Sequence, residues 1–580
     1  MTLSLERVRA LLQEIYPQPE AKAVLQRLAA LVESFCHQHP ELQARSEGRY
    51  GETDVVLITY GDQVSEPGRV PLRSLDELLR ERAGDFLTGV HLLPFYPYTS
   101  DDGFSVVDYF RVDPALGTWD DVARMGEHFK LMFDAVVNHV SAASEWFQGY
   151  LRSDPKYAHF FIAVDPSVDL SQVTRPRALP LLTKVETAGG TRHVWTTFST
   201  DQVDLNFAHS EVLLEVTRAL LLYVARGARL IRMDAIAYLW KEIGTSCIHL
   251  PRTHRVVQLW RAVLDAVAPD TLIITETNVP HAENVSYFGD GTNEAQLVYQ
   301  FPLAPLTLHA FHTGNSEPLQ RWAMGLEPPS SEVTFFNFLA SHDGIGVRPA
   351  EGILTRDQIG ELEALALAHG GHVSYKSNPD GSQSPYELNV TYFDALNDPS
   401  AGEPVELQVD RFIAAQAILL ALAGVPGIYV HSLFGSRNWN AGVARTGRYR
   451  TINRRKFVRA ELEAELDDPQ SLAHRVFHRF RALIRARTAE KAFHPGAPQK
   501  ILAADPGVFG LVRASADGQS RVLCLQSVSR EPRTFSADLA PGGFDEGGTL
   551  MDLLTGERSA VGSRVTLSLP PYAVRWLRQS

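Results

Sequence analysis

Ala228-Arg-Leu-Ile-Arg-Met-Asp234 is an apolar run that closes on a charged pair, Arg232 and Asp234. A second run of the same kind, Leu272-Ile-Ile-Thr-Glu276, follows downstream. Two further clusters close apolar runs, Asp134-Ala-Val-Val-Asn138-His139 upstream and Ser341-His342-Asp343 towards the C-terminus. Short apolar runs with polar tips are what parallel strands look like when both their faces are buried. Chemically active residues gathered at the C-terminal ends of such strands are the signature of a (β/α)8 barrel.

Working outward, strand-like runs lie at residues 55–60, 89–94, 131–138, 229–234, 272–276, 297–299, 333–339 and 427–429. Amphipathic stretches at 75–82, 119–129, 211–225 and 253–267 alternate with them. Eight β/α units predict an α/β fold, a closed TIM barrel rather than an open sheet. The barrel is expected over residues 54–138, 202–344 and 402–488. Two loop-rich subdomains interrupt it, at 139–201 and 345–401, the second carrying the turn-rich run 376–385. Both follow strands with candidate active residues, so both should wall the site. Residues 1–53 show helical periodicity in Val8, Leu11, Leu12, Ile15 and Val24, Leu25, Leu28, Leu31, which predicts a helical extension. Short β-type runs after residue 489 predict a C-terminal all-β domain at 489–580.

Composition narrows the function classes. The chain has 580 residues, 44% hydrophobic and 21% charged, with a formal charge of −13. That balance argues against a nucleic-acid partner, and no apolar stretch reaches membrane-span length. Cys36, Cys247 and Cys524 are odd in number and far apart, which fits a cytoplasmic, reducing setting and no Cys-based metal site. No metal and no cofactor is expected. Assembly into a homo-oligomer is left open.

Asp234 and Glu276 are the central pair. Retaining chemistry at a sugar C1 needs a carboxylate nucleophile and, about 5–5.5 Å away, a carboxyl acting first as acid and then as base. Neighbouring strand tips can supply them. Arg232, two residues before Asp234 on the same strand face, should keep that carboxylate ionised, whereas Glu276 behind Ile273 and Ile274 is the candidate for a raised pKa. Asp343 can bind sugar hydroxyls that strengthen their hydrogen bonds in the transition state, with His139 and His342 as donors.

In order, spacing and strand context, Asp134-xxx-Asn-His139, Arg232-x-Asp234, Glu276 and His342-Asp343 resemble the four signature regions of the α-amylase superfamily, glycoside hydrolase family 13. Carried over, the resemblance makes Asp234 the nucleophile, Glu276 the acid/base and Asp343 the transition-state stabiliser. Leu57-Ile-Thr-Tyr60, His91-Leu-Leu-Pro-Phe95, Asp101-Asp-Gly-Phe104, Gly244-Thr-Ser-Cys247, His342-Asp-Gly-Ile-Gly346 and Gly424-Val-Pro426 are similar to the sucrose-phosphorylase branch. That similarity implies inorganic phosphate as co-substrate, with no other cofactor. It places Asp101 with His139 around the glucosyl unit, Arg450 at phosphate, Arg175 or Arg177 on a mobile loop, and Tyr386 on a second loop. An isolated Asp-Asp-Gly would otherwise read as a solvated turn, and any single arginine as a surface side chain.

Glu276-Thr-Asn278 and Tyr386-Glu387 depart from the Glu-Val-His and Tyr-Gln of the sucrose enzymes, both in the acceptor subsite. Together with Cys247-Ile-His249, Thr253-His254 and Ser384-Pro-Tyr-Glu387 they resemble the glucosylglycerate phosphorylases, along nearly the whole chain. The implied small-molecule partners are 2-O-α-D-glucosyl-D-glycerate and phosphate. Candidate anchors for the glycerate carboxylate are Asn278, Lys241, His249 and the loop arginines. Glu387 would repel that carboxylate, so it should bind hydroxyls or orient a basic neighbour. Alternatives are phosphorolysis of sucrose, sucrose 6′-phosphate or glucosylglycerol, then a hydrolase or transglucosidase, then a non-catalytic sugar-binding relative.

Overall fold

A computed structural model describes residues 4–44, 49–177, 179–378, 382–503, 505–545, 547–560 and 564–579. Eight strands close a parallel barrel: β1 Val56–Thr59, β2 Gly89–Leu92, β3 Lys130–Ala135, β4 Ala228–Met233, β5 Leu272–Thr275, β6 Leu297–Tyr299, β7 Thr334–Asn337 and β8 Val425–Tyr429. Each pairs with its sequence neighbours, and β1 closes on β8 through Val56 opposite Gly427. All four residues of β1, β2, β5 and β7 are buried, as expected of strands packed between a filled interior and an outer ring of helices. All eight expected strands are present. The run at 131–138 stops being a barrel strand at Ala135, and that at 333–339 at Asn337, so Asn138 and His342-Asp343 stand on loops beyond the strand ends and His139 opens the short strand His139–Ser141.

The two insertions are more regular than expected. Within 139–201, Leu182–Thr187 and Gly190–Trp195 form a hairpin, and His139–Ser141 pairs with Gln202–Asp204. Within 345–401, Ile345–Gly346, Gln383–Asn389 and His372–Ser377 make a three-stranded sheet beside the helix Arg356–Ala368. Three residues of the turn-rich run, 379–381, lie outside the described residues.

The N-terminal helices Leu5–Ile15 and Gln18–Gln38 pack on the barrel helices Ser210–Ala225 and Pro251–Val267, burying Val8, Leu12, Val24 and Leu28. The Tyr16 hydroxyl donates to the Phe207 carbonyl at 2.9 Å, and Arg255 pairs with Glu14. At the other end, Gln499–Leu502, Val508–Ala514, Arg521–Ser527, Val574–Gln579, Thr549–Asp552 and Arg558–Ala560 form one sheet, and Arg533–Ala537 pairs with Val565–Leu569. Buried Arg513 ties this domain to the barrel by donating to the Ala421 carbonyl at 2.8 Å. Among the described residues no helix is long and apolar enough to cross a membrane.

Candidate active site

The C-terminal end of the barrel holds a relay of charge across three adjacent strands. On β2, His91 Nε2 lies 2.7 Å from Asp134 Oδ2 on β3. The other oxygen of Asp134 accepts from Arg232 on β4, and the same guanidinium nitrogen donates to Asp234 Oδ1 at 2.9 Å. Register explains the meeting, since Asp134 is opposite Arg232 and Arg232 is opposite Ile274, two residues before Glu276. Burial alone would raise Asp134, but Arg232 and His91 outweigh it and hold this carboxylate ionised. Arg232 is therefore fixed from below and presents its charge upward to Asp234.

Burial pushes both Asp234 and Glu276 up, rather than Glu276 alone as expected from the sequence; Glu276 adds to the rise at Asp234, and Asp343 and Asp134 to that at Glu276. Arg232 decides how the pair shares its charge. It touches Asp234 at 2.9 Å and approaches Glu276 only to 4.0 Å, so its charge opposes the rise more closely at Asp234 than at Glu276. Ala235, directly after Asp234, has φ 49°, in the left-handed region, and its N–H donates to Glu276 Oε2 at 3.0 Å. A strained residue between the two carboxyls thus orients one against the other.

Asp343 carries the opposite bias. Burial would raise it, but Arg450 at 2.6 Å, then His342 and Arg454, pull it well below the usual carboxylate range. Arg450 also grips Glu387 through two hydrogen bonds, one of 3.0 Å to Oε2. Of the two roles open to Glu387, the structure therefore has it orienting a basic neighbour.

Asp101, Phe104, His139, Asp234, Glu276, Asn278, His342, Asp343, Tyr386 and Arg450 line one narrow cavity of about 70 Å3. Asp101, Arg177, Gln202, Tyr386, Glu387 and Arg450 are shared with an outer vestibule of about 430 Å3, so they form the throat between the two. Asp101 and Asp102 both have positive φ, 53° and 49°. At Gly103 (φ 112°) a Cβ would come within 2.6 Å of the Pro94 carbonyl oxygen, so glycine is required there. Two successive strained aspartates are not a solvated turn. Arg177 binds Asp101 at 3.1 Å and Arg454 binds Asp102 at 2.5 Å. Burial opposes charge on Asp101, but Arg177, Arg450 and Arg454 keep it ionised.

Phe104 stacks on His342, ring centroids 4.7 Å apart and 4° from parallel. Burial drives His342 down to about 3, so the imidazole is neutral, and its Nδ1 is buried without a partner. His139 also lines the cavity, but its Nε2 is already 2.8 Å from the Phe104 carbonyl.

Arg175 and Lys241 stand elsewhere than expected. Arg175 is exposed and donates to the Leu179 carbonyl on the outside of its loop, so of the two loop arginines only Arg177 reaches the cavity. The Lys241 ammonium is buried, 2.6 Å from Asp204 and 2.7 Å from Asn138 Oδ1. It clamps the first insertion to the tip of β3 and is closed to substrate. Lys241→Met leaves buried Asp204 without its cation, although Asn138 and Thr197 still donate to it, and should cost about 3 kcal/mol, read as a fall in urea midpoint. Adding Asp204→Asn should restore most of the loss.

Gln202, Phe198 and Arg454 were not singled out from the sequence. Gln202 belongs to no motif. Arg454 directly follows the short helical turn Tyr449–Asn453 that carries Arg450.

A closed parallel barrel with buried carboxylates and arginines at its C-terminal end is the architecture of enzymes that process sugars through carboxylates. Residues 86–342 match the family model for the alpha amylase catalytic domain. Sucrose 6F-phosphate phosphorylase from Thermoanaerobacter thermosaccharolyticum superimposes with a TM-score of 0.71 at 26% identity, over 84% of this chain and 95% of that one. The glucosylglycerate phosphorylase of Allomeiothermus silvanus is 52% identical over 96% of both chains. The Escherichia coli protein of the same name is 45% identical over 99% of this chain and 100% of its own. The chain belongs to the glucosylglycerate phosphorylase family, within glycoside hydrolase family 13.

Proposed function

We propose that the protein reversibly converts 2-O-α-D-glucosyl-D-glycerate and phosphate into α-D-glucose 1-phosphate and D-glycerate by double displacement. The observation that carries this reading is identity of 45–52% with glucosylglycerate phosphorylases along almost the entire chain, N-terminal helices included.

The geometry supports a role for each group. Asp234, charged beside Arg232, attacks C1 of the glucosyl unit and forms an ester as the C1–O bond to glycerate breaks. Glu276 delivers its proton to the departing glycerate oxygen. Phosphate then enters from the same side and forms the new C1–O bond as the Asp234 ester breaks, so the α-configuration is kept. As a dianion, phosphate needs placement more than deprotonation. Arg450 and Arg177, at the throat with Tyr386, are the donors for it, and each must exchange a carboxylate partner for the phosphate oxygens. Asp343, held ionised, and neutral His342 take sugar hydroxyls, with His139 inside the cavity and Asp101 at its throat contributing further contacts to the glucosyl unit. No metal or other cofactor enters the scheme. The three thiols are unpaired, which supports a cytoplasmic setting.

An acceptor screen tests the substrate. With α-glucose 1-phosphate as donor, phosphate release should be fastest with D-glycerate. Faster release with fructose, fructose 6-phosphate or glycerol would replace the proposed acceptor.

A further inference from the structure

Asp101 and Phe104 reach the cavity from one turn, and that turn is strained. Asp101 and Asp102 both lie in the left-handed region, and Gly103 follows at φ 112°. Non-glycine residues hold such angles only where their surroundings over-determine them. Two arginines grip the turn, Arg177 at Asp101 and Arg454 at Asp102. Arg177, however, is a donor that must leave Asp101 when phosphate enters the throat. Something else has to keep Asp101 in place at that moment.

Asp201 is built to do so. It closes the first insertion, just before Gln202–Asp204 pairs with His139–Ser141. Its Oδ2 accepts from the Thr99 hydroxyl at 2.6 Å, from the Ser105 hydroxyl at 2.7 Å and from the Ser100 hydroxyl. Thr99 and Ser100 precede the strained turn and Ser105 follows it, so a single oxygen staples both its ends. On the other side, Oδ1 accepts from the Ser141 hydroxyl and the Ala142 N–H, both at 3.3 Å. The Asp201 carbonyl takes the Ser105 hydroxyl at 3.1 Å and the Ala142 N–H at 2.9 Å. One residue thus ties the turn that carries Asp101 to the strand that begins at His139. Burial opposes charge on Asp201, but the hydroxyls of Ser100, Thr99 and Ser105 outweigh it and keep the carboxyl ionised. The next residue continues the support. Gln202 Nε2 donates to the Phe104 carbonyl at 3.0 Å and to Asp101 Oδ2 at 3.4 Å. Asp201 itself lines neither the cavity nor the vestibule, so any effect it has on the sugar passes through the turn.

Resting on the reading of Asp101 as a contact of the glucosyl unit, we propose that Asp201 is a positioning residue. It fixes Asp101 for the sugar while Arg177 changes partner from Asp101 to phosphate.

A double-mutant cycle separates this role from general support of the fold. The readout is kcat/KM for α-glucosyl fluoride at fixed phosphate, followed as fluoride release, which reports formation of the glucosyl-enzyme whatever the acceptor. Asp101→Ala should lower it about 100-fold, the loss of hydrogen bonds to a charged group. Asp201→Ala should lower it about 30-fold, the size of coupling within one hydrogen-bond network. The double variant should stay near the 100-fold loss of Asp101→Ala, not fall to the product of about 3000-fold. Asp201→Asn keeps one acceptor oxygen and the same shape, so it serves where the alanine variant fails to fold. Its loss should be about 5-fold and should vanish in the Asp101→Ala background. Full activity in Asp201→Ala, or losses that multiply in either double variant, overturns the role of Asp201. An Asp101→Ala enzyme as active as the wild type overturns instead the reading of Asp101 on which that role rests.

Discussion

Asp234→Asn should lose about 10^4-fold or more in turnover with every glucosyl donor, at nearly unchanged stability. An amide cannot form the glucosyl ester, so both half-reactions stop together. The fold should survive because Arg232 keeps its bond to Asp134, which is itself held by His91. Far-UV CD and a thermal melt matching the wild type, alongside absent phosphate release, would establish a chemical loss. Retention of full turnover would remove Asp234 from the mechanism.

Glu276→Gln should behave differently, and the difference is diagnostic. Glycerate leaves as a poor, alkoxide-like group, so withdrawing its proton donor should slow phosphorolysis of glucosylglycerate about 10^3-fold. Fluoride needs no such help. With α-glucosyl fluoride the first step should proceed near the wild-type rate, and phosphate, already anionic, should still take the glucosyl unit. Equal losses with both donors would mean that Glu276 positions substrate rather than supplying a proton. The proposed assignment of the proton to Glu276 rests on Arg232 standing 4.0 Å from it and 2.9 Å from Asp234.

The barrel was legible because its strands are largely buried on both sides and appear as mainly apolar runs, down to the three-residue β6. The inserted hairpin was not. Leu182-Thr-Lys-Val-Glu-Thr187 is half-exposed and polar at four of its six positions, and nothing in its composition separates an exposed hairpin from a loop. The sheet built on Gln383–Asn389 is hidden in a similar way by Pro385 and the polar residues around it. Among site residues, the carboxylates at strand tips could be read directly, since position along a strand fixes where they point. Arg232, on the same strand as Asp234, could be read as well, but the arginine partners carried by loops could not. Arg450 reaches Asp343 and Glu387, and Arg454 reaches Asp102, across separations that only folded loops decide. Lys241 shows the same limit from the other side. Its charge suggested an anion site, but Asp204 meets it in the interior and cancels it.

The central claim is that Asp234 carries the glucosyl unit between glycerate and phosphate, and intact-protein mass spectrometry tests it most directly. Glu276→Gln incubated with α-glucosyl fluoride without phosphate should gain one glucosyl residue, which peptide mapping should place on Asp234. Adding phosphate should discharge it as α-glucose 1-phosphate. An adduct on another residue, no adduct while turnover continues, or release of the β-anomer would contradict the account.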